Sequence, residues 1–272
     1  MRELPREEPT ALPGGMGIPL FSLENLSFWY PGSPRILHSL TLSIQQGFSY
    51  GLLGPNGSGK TTLLKLLAGI LRSYEGSFRL MGKELSSLPP RQVARKVAFM
   101  PQEASFSLNI PVEYFLLLSR YPLLNPLKGF SKEDYHRVDE VLERIKISSL
   151  RTRRILELSG GEKRKILLAS LLVTDADTLI LDEPEASLDP PFQREIREIL
   201  LSLKGEGKTL IFTSHDLELL VLLSDNLIAL REGTLLACEP NRGEQNASLF
   251  RKLYSLPFTP YTSPDGRVHF SF

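Results

Sequence analysis

The sequence predicts an α/β protein whose central strands are parallel and buried. One supporting observation is a glycine-rich segment, residues 54–62, that lies between the apolar run 50–53 and a helix-like apolar run at 63–71. Another is a pair of apolar runs, at 178–181 and 210–213, with the length and composition of buried strands. A strand, a glycine-rich loop and a helix, with further buried strands behind them, are typical of this fold class.

The composition is that of an ordinary globular protein with one large domain or two small ones. The chain has 272 residues, of which 42% are hydrophobic and 23% are charged. The overall charge is nearly balanced and gives no reason to expect nucleic-acid binding. The single cysteine, Cys238, excludes an internal disulfide and disfavours a cysteine metal site. No apolar stretch approaches the ~20 residues that span a bilayer, so we expect a cytosolic chain.

The glycine-rich segment has the spacing G-x-x-x-x-G-K-[ST] of a phosphate-binding loop. Its glycines allow backbone N–H groups to surround a polyphosphate, and a helix that begins near Lys60 directs the positive end of its dipole at the same anion. Lys60 would contact the β- and γ-phosphates, and the Thr61 hydroxyl would bind Mg²⁺. A turn without a ligand is the alternative, which the flanking elements disfavour. The expected nucleotide-binding residues are Gly54, Pro55, Asn56, Gly57, Ser58, Gly59, Lys60, Thr61 and Thr62.

The N-terminal part of the chain predicts a tail and then a strand that ends in aromatic residues. Residues 1–19 are rich in proline and glycine, which indicates a flexible segment. The alternating run 20–30 predicts a strand in which Phe28 and Tyr30 share a face. Tyr30 is a candidate for stacking on an adenine ring, and packing in the core is an equal alternative.

Polar residues follow three of the predicted buried strands, and they are Gln102, Asp182 with Glu183, and His215. Ligands of α/β sheets bind at the carboxyl edge, where these residues would meet. There Asp182 suits a contact with Mg²⁺, and Glu183 suits polarising an attacking water. Considered one at a time, a glutamine at a strand end is usually a solvated loop residue and a lone histidine is usually structural. The two acids are equally well explained as a strand cap.

Residues 103–157 predict an α-helical insertion within the α/β core, because helical patterns alternate there with proline and glycine turns. Ser131 and Asp134 have the spacing of a capping box at the start of one of these helices. Ser159, followed by two glycines, opens a further helix whose first N–H groups are accessible to an anion. An ordinary helix cap is the alternative for Ser159.

Taken in order, these motifs resemble those of the nucleotide-binding subunit of ABC transporters over residues 20–272. The matching segments are Walker A at 54–62, the Q-loop at Gln102, the signature at 159–162, Walker B with its following glutamate at 179–183, the D-loop at 187–189 and the switch histidine His215. The resemblance implies a P-loop NTPase core of RecA-like type with an antiparallel β subdomain and a helical subdomain at about 103–157. It divides the chain into a tail (1–19), an ABC ATPase domain (20–239) and a C-terminal extension (240–272) packed on that domain.

The resemblance also implies roles for single residues. Two such domains pair head to tail, so each ATP lies between one phosphate loop and the other subunit's signature. Glu183 would act as general base or orient the water, His215 would hold the γ-phosphate, and Gln102 would link Mg²⁺ to the transport machinery. Tyr30 matches the family's adenine-stacking aromatic. Residues expected to contact nucleotide across the interface are Ser159, Gly160, Gly161, Glu162 and Asp189.

A member of this family would bind and hydrolyse ATP with Mg²⁺ while attached peripherally to the inner face of the cell membrane. Its expected partners are a second copy or a related ATPase, integral membrane permease subunits docked on residues 103–157, and, indirectly, an external substrate-binding protein. No nucleic-acid partner is expected.

Within the family, the chain is most similar to ATPases of importers for metal chelates such as iron–siderophore complexes, haem or cobalamin. The similarity lies in residues 119–122, the signature glutamate Glu162 and the segment 264–267. Ser119 stands where that group often has glycine, and Lys-Arg-Lys at 163–165 replaces the usual Arg-Gln-Arg. The alternatives are the ATPase of a zinc, manganese or other ABC transporter, and a soluble ABC ATPase in assembly or translation.

Overall fold

A computed structural model describes residues 17–125, 127–186, 188–263 and 268–271. The strands are β1 (Phe21–Trp29), β2 (Arg35–Ile44), β3 (Ser49–Leu53), β4 (Glu75–Leu80), β5 (Lys83–Glu84), β6 (Val97–Met100), β7 (Thr178–Leu181), β8 (Thr209–Thr213), β9 (Asn226–Arg231), β10 (Thr234–Pro240), β11 (Thr259–Thr262) and β12 (Val268–Ser271). The helices are α1 (Lys60–Leu67), α2 (Pro90–Ala94), α3 (Val112–Ser119), α4 (Lys132–Arg144), α5 (Gly160–Leu172), α6 (Pro190–Gly205), α7 (Leu217–Leu223) and α8 (Ala247–Tyr254). Most of the expected N-terminal tail, Ser187 of the expected D-loop and the segment 264–267 lie outside the described residues.

Parallel strands form the centre of the larger sheet. Its order is β10-β9-β3-β8-β7-β6, and β10 pairs antiparallel with β9 at one edge. The strands β3, β7 and β8 are buried along their whole length, as expected where both faces of a parallel sheet are covered. The predicted α/β class is therefore confirmed. Because β3, β6, β7 and β8 run in the same direction, the segments that follow them meet at one edge of the sheet.

A second sheet is antiparallel and has the order β2-β1-β4-β5. Phe21 on β1 and Phe78 on β4 contact each other with ring centroids 5.8 Å apart. Both aromatic residues belong to an apolar core that also contains Leu63 and Leu64 of α1. The antiparallel sheet thus packs against the helix that follows the glycine-rich loop, and this contact fixes the direction of α1.

The helix after the glycine-rich loop is shorter than the sequence predicts. The apolar run extends to residue 71, but α1 ends at Leu67. Gly69 has a φ of 69°, its N–H bonds the Leu66 carbonyl at 2.8 Å, and the Ile70 N–H bonds the Lys65 carbonyl at 3.0 Å. This pair of bonds is the Schellman arrangement that ends helices at a left-handed glycine, so backbone conformation overrides the apolar pattern here.

The region 103–157 contains α3 and α4, and its buried side chains join those of α5 in a second apolar core. The predicted capping box is present at the start of α4. The Ser131 hydroxyl accepts a bond from the Asp134 N–H at 3.3 Å, and the Asp134 carboxylate accepts one from the Ser131 N–H at 2.8 Å. Arg120 binds the other oxygen of Asp134 at 2.7 Å, which ties the end of α3 to the start of α4. Among the described residues, no helix has the length and hydropathy of a membrane span.

The elements after β10 contact the rest of the chain through aromatic side chains. Phe250 of α8 is fully buried, with its ring centroid 4.8 Å from that of Phe270 on β12 and 5.9 Å from that of Phe258. Strand β12 also packs against α7, where His269 is hydrogen-bonded to Glu218. These contacts support the proposal that residues 240–272 form an extension attached to the main domain.

We expect Phe250→Ala to lower the free energy of unfolding by about 3–5 kcal/mol, because it removes a buried ring and leaves a cavity among other aromatic side chains. Urea unfolding followed by circular dichroism measures this loss. Phe48→Ala is the matched control, since Phe48 is 47% exposed and its replacement should change stability by less than ~1 kcal/mol. Equal effects of the two substitutions would show that the extension does not contribute to the folded core.

Candidate active site

The glycine-rich loop joins β3 to α1 in a conformation that requires glycine at two positions. Gly54 has a φ of 157° and Gly59 a φ of 97°. A Cβ atom on Gly54 would lie 2.4 Å from the carbonyl oxygen of Leu230, and one on Gly59 would lie 2.6 Å from a methyl group of Leu37. The loop therefore passes so close to β9 and β2 that a side chain at either position would collide with these strands.

Lys60 begins α1 and lies over the loop that precedes it. Its ammonium group donates to the carbonyl of Gly54 at 2.7 Å and to that of Pro55 at 3.1 Å. Burial lowers the pKa of Lys60, and the nearby carboxylates of Glu183 and Asp182 partly oppose this shift. The positive charge and the N-terminus of α1 thus lie together, which suits the binding of a polyphosphate.

Asp182 is held from two sides by hydroxyl groups. The Thr61 hydroxyl donates to one carboxylate oxygen of Asp182 at 2.7 Å, and the Thr213 hydroxyl donates to the other at 2.7 Å. The Thr213 oxygen in turn accepts a bond from the N–H of Glu183 at 2.9 Å. This chain of bonds fixes the end of β7 to the start of α1 and to the end of β8.

Glu183 lies at the meeting point of three segments. Its carboxylate accepts a bond from the Gln102 side-chain amide at 2.7 Å, and its other oxygen lies 2.8 Å from Nε2 of His215. The Glu183 side chain is only 9% exposed, whereas that of His215 is 63% exposed. The structure thus brings the three predicted catalytic residues into direct contact, with the carboxylate directed by its neighbours and shielded from bulk water.

These residues surround a cavity of about 510 Å³. Its lining residues are Ile36, Asn56, Gly57, Gly59, Lys60, Thr61, Thr62, Gln102, Glu183 and His215. The hydroxyl of Thr61, the carboxylate of Asp182 and the amide oxygen of Gln102 are hard oxygen donors of the kind that Mg²⁺ prefers. The described residues contain no cluster of three or more His, Cys, Asp or Glu side chains that could hold a metal ion. A metal here would therefore need further oxygens from a phosphate ligand, as is common for Mg²⁺.

Tyr30 does not line this cavity in the described structure. It borders a separate hollow of about 590 Å³, together with Ile70 and Tyr74. Its ring lies edge-on to that of Phe28, with centroids 4.9 Å apart, so the two aromatic residues share a face as predicted. Stacking of Tyr30 on an adenine ring stays a prediction.

The signature residues also lie away from the cavity, at the N-terminus of α5. Ser159 and Glu162 form a capping box, in which the Ser159 N–H donates to the Glu162 carboxylate at 2.8 Å. Asp189 caps α6 and accepts a bond from the Phe192 N–H at 3.2 Å. None of the described residues of these two segments lines the cavity of the same chain, and their contacts with nucleotide stay predictions.

Sequence reasoning missed Ile36, Thr213 and Glu185, which also belong to this region. Ile36 lines the cavity from the antiparallel sheet, and no pattern in the sequence indicates this. Thr213 could have been found, because it ends the strand that leads to His215. Glu185 is buried and accepts a bond from the Ser214 hydroxyl, and burial raises its pKa.

The chain is similar to known proteins in both sequence and structure. Residues 37–186 match the family model described as ABC transporter. The chain is 34% identical over 223 residues to the probable siderophore transport system ATP-binding protein YusV of Bacillus subtilis, covering 82% of this chain and 81% of that protein. It is 33% identical over 218 residues to the manganese transport system ATP-binding protein MntA of Synechocystis, covering 79% and 82%. A solved inward-facing structure of a putative metal-chelate type ABC transporter matches 93% of this chain and 97% of that chain, with a TM-score of 0.79 and 25% identity.

We expect Glu183→Gln to bind ATP normally and to lower the rate of hydrolysis by about 100- to 10,000-fold, because the amide keeps the shape of the side chain but cannot accept a proton. Binding is measured with a fluorescent ATP analogue and hydrolysis by phosphate release. The ATP-bound form should accumulate as a dimer in size-exclusion chromatography.

Glu198→Gln is the control for this substitution, because Glu198 is an exposed residue of α6 that pairs with Arg194. It should hydrolyse ATP at the wild-type rate. Wild-type turnover by the Glu183→Gln variant would show that this carboxylate is not needed for hydrolysis.

Proposed function

The chain belongs to the ABC transporter family, and on this premise we propose that it is the ATP-hydrolysing subunit of an importer for a metal chelate. The observation that supports hydrolysis most directly is the position of Glu183. Its carboxylate is held between Gln102 and His215, and it lines the same cavity as the phosphate loop. An ATP-binding protein that acted as a switch without turnover would not need a buried carboxylate there. The similarity to siderophore-transport and metal-chelate relatives supports the importer assignment.

In the proposed reaction, the residues of the loop bind and orient the triphosphate. Lys60 and the backbone N–H groups of residues 54–62 neutralise the phosphate oxygens, and the N-terminal dipole of α1 adds to their effect. Thr61, Asp182 and Gln102 would hold Mg²⁺, which when bound would supply positive charge that offsets the negative charge of the phosphates. Glu183 orients the attacking water and accepts its proton, while His215 donates a hydrogen bond to the γ-phosphate.

A pair of chains completes each proposed site. The N-terminus of α5 carries Ser159, Gly160 and Gly161, and, apart from the neighbouring residues and backbone of its own helix, no described atom lies within 4 Å of where a Cβ on Gly160 would be. The open N–H groups of this turn can approach the γ-phosphate bound by a second copy, with Glu162 supporting the turn and Asp189 nearby. A homodimer, or a pair with a related ATPase, then contains two composite sites.

The helical region supplies the proposed docking surface for the permease. Tyr114 on α3 and Tyr121 just after it are exposed, the second by 60%, and Leu118 lies on the same helix with a partly exposed side chain. Tyr114, Leu118 and Tyr121 are spaced four and three residues apart, as on one face of a helix, and a contiguous exposed apolar patch is typical of a protein interface. The chain would thus be peripheral on the inner face of the cell membrane, would drive transport through integral permease subunits, and would act indirectly with an external binding protein.

The manganese-transport relative favours a second candidate cargo, a divalent metal ion. The two relatives have nearly the same sequence identity to this chain, so sequence identity alone does not distinguish between the two cargoes. The structural match to a putative metal-chelate type transporter, which extends over nearly the whole chain, favours the chelate.

An affinity purification from native membranes tests the importer assignment. We expect the tagged chain to recover a polytopic permease from detergent extracts, and Tyr121→Asp to lose it because a charge would enter the apolar interface. Tyr261→Asp is the control, since Tyr261 is a similarly exposed tyrosine on β11. Uptake of a radiolabelled iron–siderophore complex and of ⁵⁴Mn²⁺ by cells lacking the chain then identifies the cargo. Recovery with ribosomal or assembly proteins, in the soluble fraction only, would contradict the proposal.

A further inference from the structure

Arg164 is a buried cation to which the proposed mechanism gives no task. It lies in the second turn of α5, five residues after Ser159, and is only 7% exposed. A guanidinium group carries five N–H donors in a fixed planar fork and stays charged in proteins. Burying such a group is costly unless its donors are satisfied, so its partners indicate what it holds in place.

One side of the guanidinium binds the segment that follows β7. Its Nε donates to the carbonyl of Pro184 at 3.0 Å, and Nη2 donates to the carbonyl of Asp182 at 3.3 Å and to that of Glu183. Arg164 therefore binds three successive carbonyl groups around the proposed catalytic carboxylate.

The other side of the guanidinium binds the segment that follows β6. Nη1 donates to the carbonyl of Pro101 at 3.3 Å and to that of Gln102. Gln102 is the residue whose side chain donates to the Glu183 carboxylate. Arg164 thus holds the backbone at both ends of the Gln102–Glu183 hydrogen bond.

The backbone of Glu183 needs such support. Its φ is 49°, a left-handed conformation that costs a residue with a side chain about 1–3 kcal/mol. Thr213 binds the N–H of Glu183 and Arg164 binds its carbonyl, so both peptide groups of this residue are anchored. A displacement of a reacting group by ~1 Å can lower a catalytic rate about 100-fold, so anchoring of this kind matters for hydrolysis.

Arg164 also belongs to α5, the helix whose N-terminus carries the signature residues. Ser159 caps α5, and Arg164 follows within the same hydrogen-bonded helix. A helix of this length moves as a unit, because its backbone bonds run without interruption. A movement of the signature end of α5 would therefore be transmitted to Glu183 and Gln102 through the guanidinium.

We propose that Arg164 is a positioning residue that aligns Glu183 and Gln102 for hydrolysis and couples the two ATP sites of a dimer. When Ser159 of one chain contacts the nucleotide held by its partner, Arg164 transmits the position of α5 to the carboxylate in its own chain. This inference rests on the proposed head-to-tail pair. In this proposal, the side chain of Arg164 links the signature residues to the proposed catalytic carboxylate of the same subunit.

The test compares Arg164→Gln with Arg120→Gln. Arg120 is an equally buried arginine whose partners, Asp134, Asp175 and the Val173 carbonyl, lie outside the active site. Its substitution therefore reports the general effect of losing a buried guanidinium. The measurements are the thermal midpoint, the Kd for a fluorescent ATP analogue, and kcat, KM and the Hill coefficient for MgATP hydrolysis by the full-length chain.

We expect Arg164→Gln to keep Kd and KM within about threefold of the wild type, because the phosphate loop is untouched, and to lower kcat by about 100-fold. The Hill coefficient should fall from near two, the number of coupled sites, to about one. Arg164→Lys should recover part of kcat, because an ammonium group reaches some of the carbonyls but lacks the planar fork. Arg120→Gln should keep both kcat and the Hill coefficient.

Three results would overturn the assignment. Equal losses of thermal midpoint and kcat in the Arg164 and Arg120 variants would show that Arg164 is only structural. An unchanged Hill coefficient in Arg164→Gln, beside cooperative wild-type hydrolysis, would show that the two sites communicate by another route. A wild type without cooperative hydrolysis would show that the two sites are not coupled, and Arg164 would then have no coupling role.

Discussion

The carboxylate of Asp182 is the constraint on which the rest of the site depends. It accepts one hydroxyl from α1 and one from the end of β8, so a single side chain joins three segments of the sheet edge. An isolated carboxylate buried at this depth would be costly, and the two short bonds make its burial tolerable. Because the position of Asp182 is fixed, the backbone position of the next residue, Glu183, is fixed as well.

The positions of the proposed catalytic residues then follow from the path of the backbone. The strand ends at residue 181, the chain turns with a left-handed Glu183, and this turn directs the carboxylate toward Gln102 and His215. The strain of the turn is offset by hydrogen bonds to the peptide groups on either side. Catalytic residues are often held in this way, since accuracy of position contributes more to the rate than local stability does.

The sequence allowed the sheet edge to be predicted because the relevant signals are local. A buried strand followed by a polar residue is visible in a few consecutive letters, and Gln102, Asp182, Glu183 and His215 were all found in this way. The direction of a side chain cannot be predicted from such local signals, because it depends on contacts with distant segments. Arg164 lies some sixty residues from Gln102 along the chain, and its binding to that carbonyl could not be anticipated from helical periodicity. The hollow beside Tyr30 also depends on a distant contact, with the turn that follows α1. That turn was not predicted, because α1 ends earlier than the apolar pattern indicates.

The central claim is that each ATP is hydrolysed between the phosphate loop of one chain and the signature of another. Mixing two inactive variants tests it most directly, with Lys60→Ala to disable the phosphate loop and Ser159→Arg to block the signature. Each variant should be inactive by itself. In an equal mixture, about half of the pairs combine both chains, and each such pair has one intact composite site, so we expect up to about a quarter of the wild-type activity. Full hydrolysis by Ser159→Arg without its complement would contradict the account, because it would place the entire reaction within a single chain.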